Sequence, residues 1–204
     1  MHALWLLLFA PQAEVPRTNP PPSGAITLTR FWETREPKDW TETELQQMFT
    51  SSPWASYSGT RIFLATARPI QEAEEQHRLR HKVRQLSERA VEPDSDYQDF
   101  LKDNPGKYIV VAFLPQAYND LSEAEEMRRM EKESVLKIGK RKLRMTGHFP
   151  PTSSDPYLRM IFPRDTQPGD KKLQLELYLP GVSQPYRLIE FDLKEMSYRG
   201  KLEL

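Results

Sequence analysis

The chain contains no cysteine. That excludes disulfides, thiolate metal sites, a cysteine nucleophile and a cysteine-linked lipid anchor. Glycine is scarce, at 8 of 204 residues, which leaves little material for backbone loops that cradle phosphate. Neither a dinucleotide fingerprint, a phosphate-binding loop, a nucleophile elbow nor a paired-histidine zinc motif occurs. An excess of either charge is also missing, because 29 Lys plus Arg face 29 Asp plus Glu. No global field draws the chain toward nucleic acid or an anionic membrane, so any partner is recognised locally. No apolar run is long enough to span a bilayer.

What is present is a core-forming composition interrupted by proline. Hydrophobic residues make up 38 % of the chain and prolines number 18, a mixture that fits one folded domain with rigid connections. Residues 3 to 10, Ala-Leu-Trp-Leu-Leu-Leu-Phe-Ala, have the length of a signal-peptide core, although no Lys or Arg precedes them. Pro16 to Gly24 reads Pro-Arg-Thr-Asn-Pro-Pro-Pro-Ser-Gly, which lacks the backbone donors for a helix or central strand. The expected organisation is a signal peptide over 1–13, a proline-rich linker over 14–24 and a single α+β domain over 25–204.

Within that domain Thr41 and Glu44 have the spacing of a capping box, with Trp40 placed to staple onto Leu45. The helix they start is expected to stop before Pro53. Trp40 and Trp54 should both be buried at its ends. Arg61 to Thr66 reads as a strand leading into a long helix from Pro69 to about Arg89, with Leu79, Val83, Leu86 and Ala90 as its buried stripe. A shorter helix covers Asp96 to Leu101, Asn104-Pro105-Gly106 is a turn, and Tyr108 to Leu114 is a strand buried on both faces. Strand, helical crossover and strand together predict a parallel βαβ-like unit in a mixed sheet. Ser122 caps a further helix reaching Lys132. Val135 to Ile138, Leu143 to His148, Tyr157 to Phe162 and the alternating runs around Leu173 to Leu179 and Ile189 to Leu193 are strands. Those from Tyr157 onward should form an antiparallel meander, with helices packed on the sheet.

Three clusters invite chemistry. Glu74, His77 and His81 share a helix face, and His148 could complete a zinc site. Their neighbours Arg78, Arg80 and Lys82 repel a cation, so a solvated helix surface is the expected reading. Glu92 to Asp99 resembles a calcium loop but lacks its sixth-position glycine and twelfth-position glutamate, and acidic residues entering a helix explain it. Lys137, Lys140, Arg141, Lys142 and Arg144 surround Gly139 in a basic hairpin. Without interleaved aromatics they read as a charged edge that discourages strand pairing, and no nucleic acid is expected.

Trp40 to Leu45 running into Thr50 to Ala55, and the ending from Phe191 to Leu204, resemble a family of uncharacterised exported proteins from acidobacterial genomes. The likeness extends from about Phe31 to the end and includes Phe162-Pro163-Arg164-Asp165. It implies export and a natural terminus at Leu204. It supplies no catalytic residue, cofactor or partner.

The leading expectation is therefore an extracytoplasmic binding or interaction module, periplasmic or secreted. Its partner would be a small molecule or an envelope protein; it would have no cofactor, no catalysis and no transmembrane segment in the mature chain. The alternative is a hydrolase or transferase whose site is assembled from dispersed carboxylates and histidines. A third reading is an envelope component that binds itself through a sheet edge. If a ligand crevice exists, parallel strands place it at the carboxyl ends of Arg61 to Thr66 and Tyr108 to Leu114. Arg68, Gln116, Tyr118 and Asn119 would line it, offering a fixed positive charge, amides and a ring to an anionic ligand.

Overall fold

The computed structural model describes residues 30–84, 95–115, 123–152, 155–182 and 184–204. The expected signal and linker over 1–24, the first residues of the expected domain, Ser122, and the expected crevice residues Gln116, Tyr118 and Asn119 lie outside them.

The architecture is α+β. Helices α1 (Phe31–Thr34) and α2 (Glu42–Met48) precede strands β1 (Ala55–Tyr57) and β2 (Arg61–Leu64). Then come α3 (Arg68–Arg84), α4 (Ser95–Asp103), β3 (Tyr108–Phe113) and α5 (Glu123–Glu133). The remainder is strands: β4 (Val135–Ile138), β5 (Arg141–Arg144), β6 (Gly147–Phe149), β7 (Leu158–Pro163), β8 (Lys172–Tyr178), β9 (Tyr186–Asp192), β10 (Ser197–Tyr198) and β11 (Lys201–Leu202). The first sheet has the order β1-β2-β3-β7-β6 and the second β5-β4-β8-β9, while β10 and β11 form a separate hairpin.

The capping box forms as the sequence requires: the Thr41 hydroxyl accepts from the Glu44 amide, and the Glu44 carboxylate accepts from the Thr41 amide. Trp40 and Trp54 are buried on either side of α2. They join Phe31 and Trp32 in a chain of edge-to-face ring contacts, with centroids 5.0 to 5.8 Å apart. Trp54 Nε1 donates to the Glu203 carbonyl at 2.8 Å, so the first and last described segments close on one another.

Two expectations about topology are overturned. β2 and β3 are neighbours, but they run antiparallel, with Ile62 opposite Phe113 and Leu64 opposite Val111. The helical excursion between them holds two helices, α3 and α4, and a second helix can bring the chain back to the end it left. Nor is there one mixed sheet with a meander from Tyr157 to Leu193. β7 pairs with β3 and β6 in the first sheet, and β8 and β9 belong to the second. The break falls inside the predicted run Leu143 to His148, where β5 ends at Arg144 and β6 starts at Gly147 on the other sheet.

Alternation along the strands assigns the faces. Phe63, Ala112, Arg159 and Phe149 form one row across the first sheet. It faces the helices, because Phe63 meets Phe49 at the end of α2 and Phe149 meets Tyr97 and Phe100 of α4. The opposite row, Leu64, Val111 and Met160, is fully buried. In the second sheet Leu143, Leu136, Leu175 and Ile189 line one face. Both apolar faces belong to a single core, with α2, α3 and α4 on the outer face of the first sheet and α5 against β8 of the second. The other face of the second sheet carries the row Lys142, Lys137, Gln174 and Glu190.

Candidate functional site

Among the described residues polar side chains gather at several places, and two of them adjoin the clusters singled out in the sequence. The first is buried. Arg159 interrupts the apolar strand Leu158-Arg159-Met160-Ile161-Phe162 and, by alternation, points at the helices. Its side chain is 6 % exposed. Nε donates to Asp155 Oδ2 at 2.8 Å and one Nη donates to Glu74 Oε1 on α3 at 3.1 Å. The guanidinium lies 4.3 Å from the Tyr97 ring centroid and 5.7 Å from that of Tyr157. Among the described residues the other Nη and the Tyr97 hydroxyl are buried without a hydrogen-bond partner, and the cation-π contact partly offsets this for the guanidinium.

Burial works against charge in this cluster, and the groups respond differently. Burial would lower the pKa of Arg159, but Glu74, Tyr97 and Asp155 outweigh it and hold the guanidinium firmly charged. Burial raises the Glu74 carboxyl above its ordinary value of 4.5, against the pull of Arg159. Although 24 % of the Glu74 side chain remains accessible, the packing around it desolvates the carboxyl enough for burial to outweigh Arg159. Tyr97 is likewise pushed up by burial. A carboxyl with a raised pKa is what a general acid needs. Here, however, its oxygen is engaged by Arg159, and the cluster's geometry ties α3 and α4 to β7.

This corrects the helical wheel. The face of α3 that packs inward carries Ile70, Ala73 and Glu74, whereas Leu79 is 45 % exposed. Glu74 is therefore not part of a solvated surface, and His77 stands against the Phe49 ring at 6.5 Å. The side chain of His81 lies outside the described residues. His148 cannot join Glu74, because it alternates with Phe149 and so occupies the other face of the first sheet. There its Nδ1 is 3.2 Å from Glu131 Oε1. Among the described residues no group of three or more His, Asp or Glu is placed to hold a metal ion.

The proposed crevice loses its geometric premise. In an antiparallel pair the exit of β2 lies beside the middle of β3, with Ala65 donating to the Val110 carbonyl at 2.7 Å. The exit of β3 lies at the other end, where the Leu114 carbonyl accepts from Thr60. Arg68 donates to Glu72 at 3.0 Å, one helical turn away.

The second place is open. The β4–β5 turn and the loop before β8 rise from the outer face of the second sheet and enclose a cup of about 390 Å³. Lys137, Gln174, Lys172 and Glu190 line it from the strands, and Gly139, Gly169, Asp170 and Lys171 from the loops. Gly139 has a φ of 59°, as the first central position of a two-residue hairpin turn with Ile138 opposite Arg141 requires. A Cβ there would come within 3.2 Å of Asp170 Oδ1. The loop is pinned in turn: Asp170 Oδ2 accepts from the Gln167 amide at 2.7 Å and also from Arg141. Arg141 additionally lies 3.2 Å from Asp165. On the strands Lys137 pairs with Glu176 and Lys172 with Glu190.

The basic hairpin is thus resolved into two roles. Lys137 and Arg141 are bound by carboxylates, whereas Lys140 in the turn and Lys142 and Arg144 on the edge strand β5 are exposed. Sequence reasoning found these cations but missed the cup, because its other wall comes from residues about thirty positions later. It also missed Arg159, whose signal was present: an arginine inside a six-residue strand otherwise composed of apolar residues.

No protein-family model matches the chain, and neither a curated protein nor a solved structure does. Among the described residues no helix is long and apolar enough to cross a membrane.

Proposed function

We propose that the chain is an exported, non-catalytic binding module that holds a polar ligand in the cup on the outer face of its second sheet. One observation carries this reading: the cup has a floor of cross-strand neighbours, Lys137, Gln174 and Glu190, and walls built by two loops that the Arg141–Asp170 pair ties together. Such a floor presents a cation, an amide and a carboxylate in a row, which suits hydroxyl- or amide-rich ligands. Export is supported by the apolar start, the proline-rich stretch and the resemblance to exported acidobacterial proteins. In this reading the mature chain works in the periplasm or outside the cell.

The second reading, a hydrolase or transferase, is favoured by the raised Glu74 carboxyl. The two separate by mapping. Amide shifts of the 15N-labelled full chain, titrated with sugar oligomers and short peptides, should cluster at Lys137, Gly139, Lys172 and Gln174. Gln174→Leu should weaken that response and leave the thermal melt unchanged. Shifts gathered instead at Glu74 and Tyr157 would transfer the function to the buried cluster.

A further inference from the structure

The cup is bordered by more positive charge than its own ion pairs consume. Its carboxylates are all engaged: Asp170 by Arg141, Glu190 by Lys172, and Glu176 beside the floor by Lys137. Lys140, Lys142 and Arg144 of the hairpin are exposed, as is Lys171 on the facing loop, and none of the four forms an ion pair among the described residues. Lys142 stands directly opposite Lys137 on the outer face. Like charges so placed in a sheet repel one another. Lys142 and Arg144 alternate to the same face of β5, about 7 Å apart.

Edge protection alone accounts for charges on β5. It does not account for Lys171, which comes from a different loop and meets the same rim. Resting on the reading of the cup as a binding site, we infer that its ligand is an anionic glycan. One carboxylated sugar sits in the cup, and the chain continues along Lys140, Lys142 and Arg144. Nucleic acid is the poorer fit, because the strip has no aromatic side chain on which a base could stack. The exposed ring on this sheet, Tyr186, stands on β9 at the opposite edge.

The test uses the full-length chain and oligogalacturonate as the carboxylated probe, measured by titration calorimetry at several salt concentrations. Affinity should fall as salt rises, and Lys142→Glu/Arg144→Glu should lower it by about tenfold or more. Lys171→Ala should lower it less, while the charge-matched control Lys194→Glu/Lys201→Glu should leave it unchanged. Circular dichroism melts of all variants establish that they fold. Equal losses in the control pair would overturn the inference, as would equal or tighter binding of oligo-dT or of phosphatidylglycerol vesicles. Binding of the methyl-esterified, uncharged probe at the same strength would also overturn it but leave the cup as a site. No response at the cup to charged or neutral probes would remove both.

Discussion

Among the cation–carboxylate pairs of the described residues, two sets are alike in close contact and differ in their surroundings. Around Arg159 the pairs are enclosed between helices and sheet, whereas on the outer face of the second sheet Lys137–Glu176 and Lys172–Glu190 stand in solvent. Water screens the outer pairs and competes for their hydrogen bonds, so each is worth about 1 kcal/mol or less. Inside, the gross attraction is larger, but so is the cost of desolvation. The cluster's net contribution is small compared with the penalty for breaking it. An ion pair's distance therefore says little about its role; its surroundings decide whether it fixes the fold or leaves a surface free for ligands.

The contrast predicts a graded series. Arg159→Ala should have the largest effect, about 3–5 kcal/mol in denaturant unfolding, because it strands Glu74 and Asp155 in a buried site. Trp54→Ala should come close, at about 3–5 kcal/mol, by opening a cavity in the aromatic cluster. If either variant unfolds like the wild type, the corresponding cluster is not part of the stable core.

Glu74→Gln sharpens the comparison through pH. Since burial raises the folded-state pKa of Glu74, the folded protein binds this proton more tightly than the unfolded chain does. The resulting stabilisation is present below the ordinary value of 4.5 and is lost as pH rises through the raised value. Wild-type stability should accordingly carry a component that declines above pH 4.5 and is absent from the variant. Parallel pH profiles would mean that the carboxyl is effectively solvated.

Thr41→Ala removes one half of the capping box and should cost about 1 kcal/mol. The smallest effect belongs to the outer face: Lys137→Ala should change stability by about 0.5 kcal/mol or less. A larger loss there would show that the cup's floor is structural, which would weaken its assignment as a binding surface.

Local features were legible in the sequence and long-range ones were not. The capping box at Thr41, the two-sided burial of β3 and the hairpin at Gly139 each depend on residues close together in the chain. Both helices of the crossover were legible, but whether the second returns the chain to the end of β2 that it left depends on long-range packing, and the sequence pattern does not fix that. Of the expected stripe on α3 only Leu79 can be placed, and it is exposed, while the side chains of Val83, Leu86 and Ala90 lie outside the described residues. Leu79 made one stripe look apolar, but the helix buries Glu74 against a cation some eighty residues away, and periodicity in α3 alone contains no trace of that partner. The cup likewise required Asp170 to meet Arg141 across two sheets' worth of chain.

The contact between Trp54 and Glu203 spans 149 residues, and it is reinforced where Arg199 reaches Glu33 and Glu36 and Arg30 reaches Glu195. Its consequence concerns time. A ribosome delivers Trp32, Trp40 and Trp54 before the segment that covers Trp54, which follows 149 residues later. Until it emerges the aromatic cluster has no lid, and the growing chain cannot complete its core one part at a time. Closure of this cluster must wait until that distant segment has emerged, a long-range contact of the kind that slows folding.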